Sequence, residues 1–155
     1  MRYFCKNIGL KIEIQDVLLN ELYAVGLYHY PKEFGGLLIG KYSDDFKTCF
    51  IETTILPAKY KCSRYSFERG KTGLKRKLTE FYNSEPRLIY VGEWHTHPDS
   101  LAIPSFKDKT AMKEIEANSN VNITSPLLLI IGFNNENYHA GFYIQHNKVM
   151  YEYEK

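Results

Sequence analysis

Short apolar runs and strict alternation of apolar and polar residues dominate the chain. Residues 10–14 (LKIEI) alternate at every position, which predicts a strand with one buried and one exposed face. Apolar or alternating runs predict further strands at 34–42, 46–57, 88–96, 126–133, 138–145 and 148–153. Residues 57–68 show no clear period, and we expect a loop there with a short extended piece.

Helical spacing interrupts this pattern in three places. Asp16 can cap a first helix, which Pro31 ends. The apolar stripe of this helix consists of Val17, Leu18, Leu22, Val25 and Leu27. A second helix is predicted between Gly70 and Tyr82, and a third over about residues 105–118. The order β-α-β-β-α-β-α-β-β-β predicts an α+β fold (α/β three-layer), in which helices flank a mixed, twisted sheet.

Composition narrows the class of protein. The length of 155 residues, with 44% hydrophobic and 25% charged residues, predicts a single folded domain over 1–155. A net charge of +2 is too small to indicate nucleic-acid binding. No apolar run reaches the roughly 18–20 residues of a membrane helix, and the N-terminus turns polar too early for a signal peptide. With Cys5, Cys49 and Cys62 as an odd set of cysteines, we expect a cytoplasmic protein.

Residues 92–108, GEWHTHPDSLAIPSFKD, carry the candidate chemistry. Residues two apart in a strand project from the same face, so His95 and His97 project together. Two imidazoles and a third protein ligand can hold zinc and leave one position open for water, as in catalytic zinc sites. Asp108 is the candidate third ligand because it falls in the first turn of the following helix. Ser105 and Asp108 also form the S-x-x-D pattern of a helix capping box, which would explain both residues without a metal.

Together these residues resemble the motif of the JAMM (MPN-plus) metallopeptidases. That motif is a distant glutamate, H-[ST]-H-P, a serine after seven residues, and an aspartate three positions later. The chain matches it from His95 to Asp108, and Glu33 stands before the Gly-rich run in the place of the glutamate. The resemblance implies a JAMM/MPN fold, which is cytidine deaminase-like, and one Zn²⁺ per chain with water as its fourth ligand. It further implies His95, His97 and Asp108 as zinc ligands, Glu33 as general base, and Ser105 as donor to the oxyanion.

The resemblance also implies a substrate class. JAMM enzymes remove ubiquitin or ubiquitin-like modifiers, and the chain is similar to the deconjugating peptidases of bacterial CBASS anti-phage operons. Those peptidases release a conjugated CD-NTase, a cGAS-like nucleotidyltransferase, and work alongside E1/E2-like enzymes. The expected substrate is therefore the C-terminal tail of a ubiquitin-like modifier or a CD-NTase joined to a target protein. A peptidase of a bacterial ubiquitin-like or sulfur-carrier system is the alternative.

Residues 57–77 are the candidate clamp for such a tail, because they combine many basic residues with interleaved aromatic ones. Within them, Arg64, Tyr65, Phe67 and Arg69 are the candidate substrate-binding residues. The same composition leaves open a scaffold that binds nucleic acid. A non-catalytic MPN module is a further alternative, although the complete ligand set and the retained glutamate favour an enzyme. A zinc deaminase is excluded, because its P-C-x-x-C pattern is missing.

Overall fold

The computed structural model describes residues 1–134 and 137–155. Within them, the strands are β1 (Arg2–Cys5), β2 (Leu10–Ile14), β3 (Gly35–Tyr42), β4 (Thr48–Ile55), β5 (Tyr60–Ser63), β6 (Ser66–Arg69), β7 (Ile89–Pro98), β8 (Leu127–Phe133), β9 (Tyr138–His146) and β10 (Val149–Glu152). The helices are α1 (Asp16–His29), α2 (Leu74–Tyr82) and α3 (Phe106–Ala117). In this part of the chain, none of the helices has both the length and the apolar composition needed to cross a membrane.

A mixed sheet forms the centre of the fold. The strands lie in the order β1-β2-β4-β3-β7-β8-β9-β10. The pairs β2–β4 and β7–β8 are parallel, and the other neighbours are antiparallel. Strands β5 and β6 form a separate hairpin in the segment expected to be a loop with an extended piece. The predicted α+β class and the mixed sheet are confirmed.

Helices cover both faces of this sheet. Along β8, Leu129 and Ile131 belong to the same core as α1, whereas Leu128 and Ile130 pack with Met112 of α3. All of β8 is buried, as expected for a strand covered on both faces. The amphipathic helix α2 packs Leu74, Leu78 and Phe81 against a third cluster, formed by Leu37, Ile39 and Ile55. The sheet therefore lies between α1 on one face and α2 and α3 on the other.

The first helix differs from its prediction in two respects. Its N-cap is Gln15, and Asp16 is already helical, with its carboxylate accepting a hydrogen bond from the N-terminal amine at 3.0 Å. The predicted stripe was wrong at both ends, since Val17 is 65% and Leu27 48% exposed. The buried face consists of Leu18, Leu19, Leu22 and Gly26. A glycine belongs to this face because α1 approaches β7 too closely for a larger residue.

The two edge strands of the sheet, β1 and β10, are linked through residues near the two termini. Strand β1 was not predicted, and its residue Phe4 forms an antiparallel bridge with Glu154. The amide of Phe4 donates to the carbonyl of Glu154 at 2.6 Å, and the amide of Glu154 donates back at 3.0 Å. Beneath this bridge, the rings of Tyr3 and Phe142 lie 4.3 Å apart, and Tyr153 is buried in the same core. The sheet thus curls around α1 and closes on itself at one point.

Candidate metal centre

Strand β7 places the two candidate histidines side by side. The side chains of Trp94 and Thr96 point into the core on the α1 side and are 1% and 0% exposed. His95 and His97 therefore project from the opposite face, towards the start of α3, and remain half-buried. The predicted strand and the predicted facing of both histidines are confirmed.

The three predicted ligands converge on one point. The Nε2 atoms of His95 and His97 lie 3.1 Å apart. The carboxylate of Asp108 lies 3.1 Å from His95 Nε2 and 3.5 Å from His97 Nε2. The 3.1 Å contact of His95 is with Asp108 Oδ1 and the 3.5 Å contact of His97 is with Oδ2, and one ligand atom from each of the three residues lies within 4.8 Å of the others. A zinc tetrahedron with bonds of 2.0–2.1 Å has edges of about 3.3 Å, so the three side chains are close enough to share one ion. Two imidazoles and one carboxylate are also a donor set that suits zinc.

Helix α3 holds Asp108 in this position through its own cap. Ser105 is the N-cap, and its hydroxyl accepts from the amide of Asp108 at 3.2 Å while donating to Asp108 Oδ2 at 2.6 Å. The amide of Ser105 donates to the same oxygen at 2.7 Å. The capping box and the ligand role are therefore compatible, because the cap orients the carboxylate that faces the histidines. Burial opposes ionisation of Asp108, but both histidines and Ser105 hold its pKa well below its usual range.

A backbone carbonyl fixes the orientation of His97. Its Nδ1 lies 3.3 Å from the carbonyl oxygen of Leu101, which can only accept, so Nδ1 carries the proton. The lone pair of Nε2 is then directed towards His95 and Asp108. Burial lowers the pKa of His97, but the hydrogen bond and charge of Asp108, the charge of Glu33 and the contact with Leu101 together outweigh it, and the net shift is upward. A histidine held in this way is oriented for coordination through Nε2.

Glu33 reaches the same site from β3. Gly35 pairs with His95 across the β3–β7 ladder, and a Cβ atom at Gly35 would lie 2.8 Å from the Cβ of His95. Only glycine permits this close approach, which places Glu33 beside the histidines. The amide of Glu33 donates to the carbonyl of Ser63 in the hairpin at 2.8 Å. Burial raises the pKa of the Glu33 carboxyl, and the nearby His95 and His97 oppose that shift.

Two grooves meet at this cluster. The inner groove, of about 350 Å³, runs between β6 and α3 and is bordered by Phe67, Arg69, Ala111, Met112 and Ile115. The outer groove, of about 760 Å³, is bordered by Arg64, Tyr65, Asp99, Ser100 and Phe106. Glu33, Lys107 and Asp108 line both grooves. An extended chain could pass from one groove to the other across the metal-binding triangle.

Comparison with known proteins agrees with this geometry. Residues 15–142 match the Prok-JAB family, the prokaryotic homologs of the JAB domain. This chain belongs to that family. A relative from Enterobacter hormaechei subsp. hoffmannii is 42% identical over 122 residues, which span 78% of this chain and 67% of the relative. One from Vibrio cholerae is 32% identical over 68% of this chain and 65% of the relative, and both are named CD-NTase/cGAS isopeptidase.

A solved structure supports the same fold. The solution structure of a protein from Desulfitobacterium hafniense superposes on the Prok-JAB chain with a TM-score of 0.62. It covers 92% of this chain and 90% of its own, at 20% sequence identity. The JAMM resemblance found in the sequence is thus confirmed at the level of the family and the fold.

In this Prok-JAB chain, the four candidate substrate-binding residues all lie on the β5–β6 hairpin. Tyr65, at its tip, is 81% exposed, and Phe67 packs against Phe34 with ring centroids 5.4 Å apart. Arg69 forms a bidentate pair with Glu93 of β7, at 2.8 and 3.2 Å. This pairing was not predicted, because nothing in the local sequence indicates which acid lies opposite Arg69.

Sequence reasoning also missed Asp99, which follows the H-T-H-P run directly. Its carboxylate accepts from Arg64 Nη2 at 2.8 Å and from the hydroxyl of Tyr30 at 3.1 and 3.2 Å. The φ angle of Asp99 is +56°, a left-handed conformation that aspartate tolerates better than most residues. No periodic pattern signals a contact between residues 35 and 69 positions apart.

Proposed function

We propose that this chain is a zinc-dependent isopeptidase that releases a protein from conjugates formed through its C-terminal carboxyl. The observation that carries the proposal is the triangle of His95, His97 and Asp108, whose ligand atoms lie within 4.8 Å of one another with Glu33 beside them. Its dimensions match a zinc site with an open position, which is the catalytic arrangement. Membership of the Prok-JAB family supports the same chemistry.

Each residue of the site has a proposed role in hydrolysis. When bound, zinc supplies Lewis-acid chemistry that makes hydroxide available near neutral pH. Glu33 accepts the proton of the attacking water and returns it to the leaving amine. Ser105 keeps Asp108 oriented, and its hydroxyl turns from Asp108 Oδ2 to donate to the developing oxyanion. The half-buried position of Glu33 keeps its carboxyl at a raised pKa, which suits a group that must both accept and donate a proton.

The proposed substrate follows from the relatives and from the grooves. Relatives that share 32–42% identity with this chain are named CD-NTase/cGAS isopeptidase. We therefore propose a CD-NTase, joined to a target protein by E1/E2-like enzymes, as the conjugate that is cleaved in the cytoplasm. The inner groove, between the edge of β6 and α3, suits an extended C-terminal tail that adds main-chain hydrogen bonds to β6.

The ion pairs of the hairpin favour the isopeptidase over a scaffold that binds nucleic acid. Two of its arginines, Arg64 and Arg69, are neutralised by Asp99 and Glu93 in contacts of 2.8 Å. Paired guanidinium groups contribute less to phosphate binding, because each must first lose its carboxylate partner. The same residues instead shape the two grooves that lead to the metal-binding triangle.

Zinc content and cleavage test the proposal together. Metal-depleted protein is reloaded with one equivalent of zinc, and bound metal is measured by elemental analysis for the parent, Asp108→Ala and Glu33→Ala. The parent and Glu33→Ala should each retain about one zinc, and Asp108→Ala far less, because two histidines alone hold zinc weakly. The probe for cleavage is an Enterobacter hormaechei CD-NTase whose C-terminal carboxyl is joined to the Nε of a fluorescent lysine.

The two variants separate metal binding from proton transfer. Glu33→Ala should cleave the probe roughly 10²–10⁴-fold more slowly than the parent while keeping its zinc. Full cleavage by Glu33→Ala would refute the role of Glu33. Equal zinc binding by Asp108→Ala and the parent would refute the three-ligand site. If the loaded parent leaves the conjugate intact, the proposed substrate is wrong.

A further inference from the structure

Three contacts join the segments around Glu33 into a closed ring. The carboxylate of Asp99, two residues after His97, accepts from Arg64 at the tip of the hairpin at 2.8 Å. The neighbouring residue Ser63 accepts from the amide of Glu33 at 2.8 Å. Three residues before Glu33, the hydroxyl of Tyr30 donates back to Asp99 at 3.1 Å. The ring thus runs from Asp99, just after β7, to the hairpin, from the hairpin to the Glu33 segment, and from that segment back to Asp99.

The ring holds a segment that has few other contacts. Residues 30–32 are exposed, whereas Phe34 is buried and donates through its amide to Thr96 Oγ1 at 3.0 Å. Glu33 therefore lies at the boundary between a strand fixed to β7 and a loop without a packed core. Apart from the ring of Tyr30, which lies 6.0 Å from that of Phe133, and the local hydrogen bonds of Tyr30 and Lys32 to Leu27 and His29, the contacts of this loop run through Asp99 and Ser63.

We propose that Asp99 is a positioning residue for Glu33, which acts by fixing both the hairpin and the loop that flank the general base. The inference rests on the proposed function, because it assigns Glu33 the role of base. The Asp99 carboxylate accepts hydrogen bonds from both segments. Its removal therefore eliminates the contact with Tyr30 of the Glu33 loop and the contact with Arg64 of the hairpin together. The backbone of Asp99 is itself tied down, with its amide donating to the carbonyl of Phe133 at 2.7 Å.

The conformation of Asp99 provides a clean pair of variants. Asp99→Asn preserves the size of the side chain and suits the left-handed φ of +56°. Asp99→Gly removes the side chain and adopts this φ without strain, so that loss of folding is not expected. The matched control is Asp45→Asn, because Asp45 is also an exposed carboxylate that accepts from two donors, Ser43 and Lys47, in a turn outside the ring.

Hydrogen exchange of the Glu33 amide is the direct readout, and it needs no substrate. In Asp99→Gly, this amide should exchange at least about tenfold faster than in the parent, while the amide of Leu129 in the core is unchanged. In Asp99→Asn, whose amide oxygen still accepts hydrogen bonds, the increase should be smaller. Zinc content should stay at one per chain. Tyr30→Phe, which removes one of the two donors, should give an intermediate rate, and Asp45→Asn should match the parent.

Cleavage of the CD-NTase probe adds a second readout. Displacement of a catalytic group by about 1 Å lowers the rate by roughly 10²-fold, so we expect kcat to fall by about 10–100-fold in the Asp99 variants, with KM within about twofold. Unchanged exchange at Glu33 overturns the proposal, as does a rise in KM with the Glu33 amide still protected, which would make Asp99 a substrate contact. Faster exchange throughout the core also overturns it.

If the parent does not cleave the probe, the proposed substrate fails, and the exchange result still decides the role of Asp99.

Discussion

At the scale of single residues, Asp108 shows how one carboxylate serves two structures. One of its oxygens closes the capping box of α3, and the carboxylate as a whole faces the two histidines. The charge also suits the N-terminal end of a helix, where the macrodipole favours an anion. A serine followed three residues later by an aspartate therefore caps the helix and also orients a candidate metal ligand towards the histidines.

The raised pKa of Glu33 leads to a prediction for the pH dependence of cleavage. A general base must be ionised, and burial raises the Glu33 pKa above its ordinary value of 4.5. Burial therefore favours protonation of Glu33 at a higher pH than that of an exposed glutamate. We expect kcat/KM for the CD-NTase probe to fall about tenfold per pH unit below this pKa.

Glu33→Gln is the control for that profile. Its residual activity should lack the acidic limb, because glutamine does not titrate. Zinc content measured at each pH separates protonation of Glu33 from loss of the metal. A parent whose rate stays constant down to pH 4.5, with zinc retained, would contradict the prediction.

The sequence was sufficient for the site residues with a fixed spacing, and insufficient for those that meet through the fold. His95, His97, Ser105 and Asp108 lie within one short segment, so strand geometry and helix capping predict their arrangement directly. The partners of Arg64 and Arg69 come from β7 and the turn after it. Their identity depends on how the hairpin folds over the sheet, which no local pattern encodes.

At the scale of elements, α1 packs closely against β7 on the face opposite the two histidines. Gly26 of α1 lies against Thr96 of β7, and a Cβ atom there would collide with Thr96 Cγ2. Thr96 in turn accepts from the amide of Phe34 through its hydroxyl. One threonine of β7 therefore contacts both α1 and the residue that precedes β3.

Replacing Gly26 should reveal this dependence. At an exposed helical position, glycine to alanine is stabilising by up to about 1 kcal/mol. Here we expect Gly26→Ala to lower the free energy of unfolding by about 1–3 kcal/mol, because the added methyl group overpacks the contact with Thr96. Denaturant unfolding measures the change.

Thr96→Ser provides the matching test. It removes Cγ2 but keeps the hydroxyl that accepts from Phe34. In this background, Gly26→Ala should cost less than in the parent, or become stabilising. An equal cost in both backgrounds would contradict the proposed clash.

The elements also show where periodicity is informative. Most strands and all three helices of the described residues were predicted, because their apolar spacing is regular. The α1 stripe was misjudged because Val17 and Leu27 are apolar but exposed, and Gly26 is buried without being apolar. Strand β1 was missed because Tyr3, Phe4 and Cys5 are all apolar and show no alternation, although the strand pairs with neighbouring β2.

At the scale of the whole molecule, the curled sheet depends on its last residues. Tyr153 is 5% exposed and belongs to the core that contains Tyr3 and Phe142. Its neighbour Glu154 bridges to Phe4 and forms an ion pair with Lys6 at 2.6 Å. The burial of one aromatic side chain therefore stabilises the junction between the two ends of the chain.

Removal of that side chain should lower the stability of the whole protein. We expect Tyr153→Ala to reduce the free energy of unfolding by about 3 kcal/mol, as for other large buried aromatic residues. For a chain of this length, that corresponds to a fall in Tm of roughly 6–12 °C. Deletion of exposed Lys155 alone is the control and should leave Tm unchanged. An unchanged Tm in Tyr153→Ala would show that the closure contributes nothing to stability.

The same closure has a consequence for how the protein is made. Phe4 of strand β1 is synthesised 150 positions before its bridging partner Glu154. Likewise, the core around Tyr3 is complete only when Phe142 and Tyr153 pack against it. Contacts between such distant parts of a chain form slowly, and these cannot form until residue 154 has been synthesised. The core around Tyr3 is therefore completed later than the synthesis of β7 and α3, which precede residues 142–153 in the chain.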